Sequence, residues 1–382
     1  MTIMLLKLFV SEASADIFVS ASSGDDSATG LTPATAVQSL GRAQSLWRRK
    51  TGFQRVYLSG NFFLNKTLML WKIDSHVALQ PWPASNKRTT PRLSGGIPVA
   101  HWKSVSAGIW QAETHAPATA SSIFVTASNG TVQRRYRVRT QILFWDKPLS
   151  WVNKEISRWG FVYSPGDISE NWDLSPTSIA QWRVIVFHQW SKSYHTVRAI
   201  FPHNRTILFR QPAPYFYGNF VNNTASAKRW YIENIPELVL EPGSGQWRIT
   251  SSKLFYAPPT GEAPPQDGQV VVPVLQRLVS VQHAQNVAIT GLGLTHTDVQ
   301  CPSGDFPLGK EPVDLGGAKS PWTCDNEFAD YTGELLFAND VKQLAVSNCS
   351  IQGSGGAALS VSRSPNASVS RVLVNLNPNP KP

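Results

Sequence analysis

The same spacing of apolar residues occurs twice in this chain of 382 residues. The segments SVQHAQNVAITGLGLTHT (280–297) and FANDVKQLAVSNCSIQGS (337–354) align without gaps at an offset of 57 residues. In each segment apolar residues alternate over a short run, as in a strand with one buried face, and a second run follows a bend. Such a repeat indicates successive turns of a coil stacked on one another. The alignment matches two sets of residues: Val287, Ile289, Leu292 and Leu294 with Leu344, Val346, Cys349 and Ile351.

The composition favours an all-β fold. The chain has 26 Gly and 27 Pro and is only 16% charged, which favours short strands joined by turns over long surface helices. One exception is ATAVQSLGRAQSLWRR, which predicts an amphipathic helix over 34–49. A strand, one helix and then many strands is how a parallel solenoid is capped, so we expect this helix to cover the end of the core.

The middle of the chain has a different character. Residues 101–260 carry ten of the 14 tryptophans and contain segments that predict antiparallel strands, among them RVIVFHQW, HTVRAIF, RTILFR and RWYIEN. We interpret them as a β-rich subdomain inserted between coils; irregular coils are the alternative. The predicted division is a signal peptide (1–15), a cap and first coil (16–100), the insertion (101–260), parallel coils (261–375) and a Pro/Asn tail (376–382).

The net charge of +10 does not indicate nucleic-acid binding. Lys and Arg are scattered, and their densest cluster, RRYRVR at 134–139, alternates like the solvated face of a strand. A groove for an acidic polysaccharide is the other interpretation of that cluster. The sequence contains no Cys/His metal spacing, dinucleotide fingerprint or P-loop, so we expect no metal and no cofactor. No apolar run is long enough to span a bilayer.

The opening of the chain resembles pectin-lyase-like right-handed parallel β-helix proteins. Its residues match the pattern VSxxGsDxxxGtxxxPxxsLxxAq at Val19, Ser20, Gly24, Asp25, Asp26, Gly30, Pro33, Ser39, Leu40, Ala43 and Gln44. PRLSGGIPVAHW (91–102) is similar to a turn of carbohydrate-active members of that group, and RWYIENIPELVLEPGSGQWRITSSKLFYAPP (229–259) is similar to their yyieNapelLdepGeWyld…lyY.P signature. The inserted Ser244-Gly245 departs from that signature.

This resemblance extends from residue 16 to about residue 374 and comes closest to glycoside hydrolase family 141. It implies a right-handed parallel β-helix that acts on a polysaccharide or another glycan. It also implies catalytic carboxylates on coils beyond this chain, so we expect a truncated or divergent product that lacks a complete catalytic pair. A polysaccharide lyase and a non-catalytic glycan-binding or structural solenoid remain the alternatives.

Glycoside hydrolysis requires two carboxylates at the scissile bond. The excursion between the two repeats is rich in acidic residues, although polar loops are also acidic for solubility. It supplies the catalytic candidates Asp298, Asp305, Asp314, Asp325 and Glu327. Flat side chains can stack on sugars or pack in a core; the substrate-binding candidates are Trp145, Trp190 and His296.

Several features indicate export. Ala13-Ser14-Ala15 follows a short apolar run and has the pattern of a signal-peptide cleavage site. Cys301 and Cys324 flank the excursion, so a disulfide between them would close it, whereas Cys349 occupies an inward strand position and is expected to be a buried thiol. Six N-x-[ST] sequons predict glycosylation at Asn65, Asn129, Asn204, Asn222, Asn348 and Asn366.

Protein produced by a eukaryotic secretory host should therefore lose mass on enzymatic deglycosylation, while the same chain produced in a bacterial cytosol should not. Intact-mass spectrometry measures both. An unchanged mass would contradict glycosylation, and a secreted form that retains Met1 would contradict cleavage after Ala15.

Overall fold

The computed structural model describes residues 15–82, 90–118, 120–188, 191–213, 215–220, 228–250, 252–299, 324–325 and 333–375. These residues form six sheets, three of them parallel throughout. The predicted all-β fold is confirmed. The helices are α1 (Leu40–Trp47), α2 (Pro176–Ile179) and short 3₁₀ turns at Pro33–Thr35, Lys72–Asp74, Ile156–Arg158 and Pro202–Asn204.

The parallel sheets are named I, II and III here. Sheet I contains, in spatial order, β1 (Ala15–Ser20), β2 (Gln54–Ser59), β5 (Val77–Pro81), β24 (Gln285–Thr290), β28 (Lys342–Ser347) and β31 (Ser368–Ser370). Sheet II contains β3 (Asn61–Phe63), β6 (Arg92–Ser94), β25 (Gly293–Thr295), β29 (Ser350–Gln352) and β32 (Leu373–Asn375). Sheet III contains β4 (Leu68–Leu70), β23 (Val279–Gln282), β27 (Leu336–Asn339) and β30 (Leu359–Ser362).

The chain visits the three sheets in a fixed cycle, so each passage forms one coil. It runs β2, β3, β4, β5 and β6 through sheets I, II, III, I and II, and later repeats the cycle from β27 to β32. The two aligned segments are neighbours in this stack. Val287 pairs with Leu344, Ile289 with Val346, and Leu294 with Ile351, all in parallel register. The prediction that these segments are stacked parallel strands is confirmed.

The alternating apolar residues fill the interior of the stack. The inward side chains of β24 and β28 are almost completely buried, and Cys349 joins the same cluster as a buried free thiol. In the last described coil the equivalent positions are more open: Val369, above the fully buried Val346, is 47% exposed. An inward side chain is thus fully buried where a described coil lies on each side of it, as for Val346.

The capping helix is shorter than predicted. Residues 34–49 were expected to be helical, but α1 begins at Leu40. Val37 instead forms a parallel bridge with Val19, and a carboxylate oxygen of Asp26 accepts the backbone N–H of Gln38 and Ser39 at 2.8 Å each. The Ser39 hydroxyl then accepts the N–H of Arg42, so the helix starts with a side-chain cap. Its buried residues Leu40, Ala43 and Trp47 join the coil core.

The strand pairs of the remaining three sheets are antiparallel. One has the order β11 (Val132–Arg135), β10 (Ile123–Thr126), β22 (Val270–Pro273), β7 (Gly96–Pro98), and another β20 (Trp247–Thr250), β21 (Lys253–Tyr256), β9 (Ile109–Glu113), β8 (Lys103–Ser106). The largest has the order β12 (Leu143–Phe144), β19 (Arg229–Glu233), β15 (Arg183–Phe187), β16 (Lys192–Phe201), β17 (Thr206–Phe209), β14 (Gly160–Val162), β13 (Lys147–Pro148), with β26 (Cys324–Asp325) paired to β16. β18 (Tyr217–Phe220) lies next to β13.

The antiparallel pairing predicted for four of these segments is confirmed, because β15, β16, β17 and β19 are antiparallel neighbours. Among the described strands, parallel pairing resumes at β23, since Val270–Pro273 pairs antiparallel with β7 and β10. The limits of separate domains stay a prediction.

Both excursions leave the coils at the same corner. The antiparallel strands lie between β6 and β23, and residues 296–335 lie between β25 and β27. In both cases the chain leaves after a strand of sheet II and returns to a strand of sheet III. The second excursion touches the largest antiparallel sheet, where Cys324 and Asp325 pair with Tyr194 and Ser193 of β16. This corner is where the coils meet the antiparallel sheets.

A matched pair of truncations tests how the coil interior is stabilised. Val346→Ala should lower the free energy of unfolding by about 2 kcal/mol, because it removes two buried methyl groups and leaves a cavity. Val369→Ala changes the same residue type at the next rung, where 47% is exposed, and should cost clearly less. Chemical denaturation measures both; equal losses would contradict the stacking described above.

Candidate functional site at the junction of coils and antiparallel sheets

Asp298 lies where the second excursion leaves the coils, three residues after β25. Only 1% of its surface is exposed. Its backbone N–H donates to the Leu275 carbonyl at 2.8 Å, which fixes it to the coil. Its carboxylate accepts the backbone N–H of Ser121 at 2.9 Å and a short hydrogen bond from the Ser121 hydroxyl. Asp298 thus joins the coil to the segment before β10.

Burial raises the pKa of Asp298 above its ordinary value, against the opposing effects of the Ser121 hydrogen bonds and the charges of Arg183 and Arg137. A carboxyl whose pKa is raised by folding binds its proton more tightly in the folded state. Its contribution to stability is therefore present at low pH and is lost as the pH rises through the folded-state pKa. The Asp298 carboxyl therefore keeps its proton to a higher pH than the carboxyl of an exposed aspartate does.

Arg137 is a buried cation that acts electrostatically on this carboxylate. It is 3% exposed and donates from Nε to the Ala120 carbonyl at 2.8 Å, with further short bonds from Nη2 to the carbonyls of Ala118 and Ala120. Its guanidinium lies over the ring of Trp247 at 4.8 Å. Burial and the charge of Arg183 lower its pKa to about 10, although Glu233 and Asp298 act in the opposite direction. It remains charged at neutral pH.

Arg183 and Glu233 form an ion pair across two neighbouring strands. They are direct partners in the pairing of β15 with β19. Arg183 Nη2 and Nε lie 2.6 and 3.0 Å from Glu233 Oε2, and only 19% and 4% of the two side chains are exposed. Burial acts to lower the pKa of Arg183, but the charge and hydrogen bond of Glu233, together with Tyr194 and Tyr231, outweigh it, so that the pKa is raised.

The junction therefore combines two carboxylates with two guanidinium groups in a nearly dry environment. Arg183 and Arg137 both act electrostatically on Asp298, and the charge of Glu233 acts on both arginines. Such an arrangement buries Asp298 and so raises its pKa, as a general acid acting on a glycosidic bond requires. It can equally orient the antiparallel sheets on the coils, since buried ion pairs often specify geometry.

The structure places two of the three predicted substrate-binding residues, Trp145 and His296, in buried positions. Trp145 is 2% exposed, and its ring packs on Phe161 at 6.0 Å and under the Lys228 ammonium at 5.0 Å. His296 is 6% exposed, with Nδ1 at 2.8 Å from the Ser94 hydroxyl and a ring contact to Phe124 at 5.4 Å. Burial lowers its pKa to about 3, so it is neutral. Neither side chain presents a face to a glycan.

Several other predicted residues cannot be placed. Those outside the described residues are Trp190, Asn222, Cys301, Asp305, Asp314 and Glu327. Cys324 and Asp325 are placed as backbone in β26. The sequon asparagines within the described residues are all exposed: Asn65, Asn129, Asn204, Asn348 and Asn366. Their glycosylation, and the disulfide, stay predictions.

The pairing of Arg183 with Glu233, and the effect of Arg183 on Asp298, were not predicted from the sequence. Arg183 begins and Glu233 ends a strand whose central residues are apolar or aromatic, RVIVF and RWYIE. A charged residue next to such a run is costly to bury unless it is paired, and this was the available signal. Among the described residues no group of three or more His, Cys, Asp or Glu side chains could hold a metal ion. No helix in the described part is long and apolar enough to cross a membrane.

Comparison with known proteins identifies a structural relative. No family model matches the chain, and no curated protein matches it. A solved structure titled "Glycoside hydrolase" matches with a TM-score of 0.63 at 16% identity, over 89% of this chain and 62% of that chain. The chain therefore spans less than two thirds of the length of that protein. At this identity the similarity shows a shared fold.

A second solved structure, titled "The complex structure of XylC with xylose", matches over 74% of this chain and 35% of that chain. Its TM-score is 0.32 at 9% identity, too low to support a structural argument.

The ion pair at the junction predicts an asymmetric response to charge removal. Glu233→Gln should lower the free energy of unfolding by roughly 3 kcal/mol, because it leaves Arg183 largely buried without its carboxylate. Glu113→Gln is the control: its pair with Lys253 spans 3.9 Å and is exposed at 43% and 72%, so the loss should stay below about 1 kcal/mol. Chemical denaturation of both variants at neutral pH measures this difference, and similar losses would contradict a structural role of the buried pair.

Proposed function

We propose that this chain is a carbohydrate-active protein of the glycoside-hydrolase type. The observation that carries the proposal is the fold shared with a glycoside hydrolase over 89% of the chain. The motifs at residues 91–102 and 229–259 support it independently, because they resemble carbohydrate-active proteins close to glycoside hydrolase family 141. The substrate is a polysaccharide or a related glycan.

The coiled body is, in this proposal, a right-handed parallel β-helix. Support comes from the fixed cycle of the chain through sheets I, II and III and from the in-register pairing between coils. One β-helix architecture serves hydrolases, lyases and binding proteins, so the activity has to be argued from side chains.

Asp298 is the proton donor in this proposal. Its raised pKa suits a general acid, since the carboxyl keeps its proton into the pH range where an exposed aspartate has lost it. Its position at the start of an excursion also supports the assignment, because insertions in solenoids often form the binding face. The burial of Asp298 favours one second candidate: a glycan-binding protein in which the junction is purely structural.

Export belongs to the proposal as well. It rests on the Ala13-Ser14-Ala15 pattern and on the sequons, of which the described asparagines are exposed. Glycans are abundant substrates outside cells, so export and carbohydrate activity are mutually consistent.

Activity on a polysaccharide panel tests the proposal and separates its alternatives. A hydrolase releases reducing ends without ultraviolet absorbance, a lyase also produces absorbing unsaturated uronates, and a binding protein produces neither while retarding in a polysaccharide gel. In contrast to the incomplete catalytic pair that the sequence resemblance implied, this proposal predicts reducing ends from the wild type and a loss of at least about 100-fold in Asp298→Asn.

Asp298→Glu is the conservative control and should keep part of the rate. A thermal melt of each variant checks that the fold is retained. Hydrolysis that persists at the wild-type rate in a folded Asp298→Asn variant would refute the assignment of Asp298.

A further inference from the structure

Trp151 is exposed, whereas ten of the twelve described tryptophans are buried or partly buried. Among the described residues it and Trp71 are the exposed tryptophans, at 60% and 39%. Leaving a large aromatic side chain in water forgoes the burial that usually stabilises it. An exposed aromatic ring on a well-defined loop is therefore a candidate contact for a ligand.

The loop that carries Trp151 is fixed by its own hydrogen bonds. The Ser150 backbone N–H donates to the Ser157 hydroxyl at 2.8 Å, and that hydroxyl donates to the Ser150 carbonyl at 2.5 Å. The Ser150 hydroxyl in turn accepts the N–H of Asn153 at 2.9 Å. These bonds close the loop at both ends, so the ring is presented by an ordered segment and little entropy is lost when a ligand binds.

Gly218 provides the seat of the indole ring. A Cβ at this position would lie 3.0 Å from Cζ3 of Trp151 and 3.3 Å from Cγ of Pro148. The backbone of Gly218 has φ +108°, a conformation that side chains disfavour. Glycine thus lets the indole lie against the backbone while most of its surface faces solvent.

The surroundings of the ring are polar and carry charges of both signs. Asn153, Lys154 and Glu155 follow in sequence and are all exposed. The Lys154 ammonium lies 5.2 Å from the centre of the Phe216 ring, which places a cation on the same loop. Val152 and Ile156 are the exposed aliphatic residues of this loop, at 93% and 49%, so the apolar surface is confined to one short loop and is not a broad protein-docking patch.

We propose that Trp151 is a stacking platform for one sugar ring of an acidic polysaccharide, with Lys154 attracting the negative charge of that chain. A pyranose has an apolar face that matches an indole in size, and the net charge of +10 favours an anionic polymer over a neutral one. The inference rests on the proposed function, since it names the substrate class and a contact for it.

Affinity electrophoresis of the full chain through gels containing polygalacturonate, or a soluble neutral β-glucan, tests the platform. Trp151→Ala should weaken the binding of polygalacturonate about tenfold, and Trp151→Phe should retain part of it. Trp71→Ala removes the other exposed indole, which stacks on His283 in the coil body at 5.8 Å, and should leave the affinity within about twofold.

Three further variants separate the effect of the position of the indole ring from the effect of the Lys154 charge. Gly218→Ala should displace the indole and weaken binding although Trp151 remains, and Ser157→Ala should do the same to a smaller extent by loosening the loop. Lys154→Gln should weaken binding of polygalacturonate and leave any binding of the neutral glucan unchanged. Melting curves identify variants that fail to fold, and Ser157→Ala provides the test if Gly218→Ala does not fold.

The outcomes distinguish the inference from the proposed function. If the wild type binds polygalacturonate and folded Trp151→Ala binds equally well, the platform is refuted while carbohydrate binding stands. Tighter binding of the neutral glucan than of polygalacturonate would refute the acidic substrate class. If the wild type binds neither polymer, the platform is refuted on its own terms. Binding without release of reducing ends would refute hydrolysis and leave the platform supported.

Discussion

Stacking of like side chains between successive coils is the interaction on which this structure depends. Each inward residue rests on its counterpart one coil away, as Ile289 rests on Val346, and parallel hydrogen bonds hold the register. The bends between sheets III and I repeat as well: His283 and Asp340 stand at the same corner of adjacent coils with φ of 53° and 54°. The left-handed conformation turns the chain sharply, so that the next strand enters sheet I in register.

This constraint decides where the chain can vary. A strand within the stack has neighbours on both sides, so additional residues are accommodated only at corners. Both excursions use the corner between sheets II and III, and the residues that cross it are tightly packed: a Cβ on Gly355 would lie 2.5 Å from the carbonyl carbon of Asp298. The charged junction lies at this corner because two chain segments and an antiparallel sheet meet there, where the apolar core ends.

The sequence was sufficient for the coils and insufficient for the junction. Alternation and the repeat are local properties, so the stacking of 287–294 on 344–351 followed from them. Contacts between distant residues left no such pattern: Ser121 and Asp298 are 177 positions apart, and Arg183 and Glu233 are 50 apart. The number of tryptophans likewise does not show which of them are buried. Trp145 and Trp151 stand six positions apart in one segment, yet one is 2% and the other 60% exposed, which only the packing of β13, β14 and β18 decides.

The buried charges at the junction serve geometry better than they serve stability. An ion pair removed from water recovers little of its desolvation cost, but a mispaired alternative would leave Arg183 or Glu233 alone and is therefore strongly disfavoured. Asp298 adds a dependence on protonation. With its pKa raised, ionisation at higher pH places a second carboxylate beside Arg137 and Arg183, and the electrostatic attraction only partly offsets the cost of burying that charge. The attachment of the antiparallel sheets to the coils is consequently weakened as the pH rises through that value, in the direction opposite to that of an ordinary salt-bridged carboxylate.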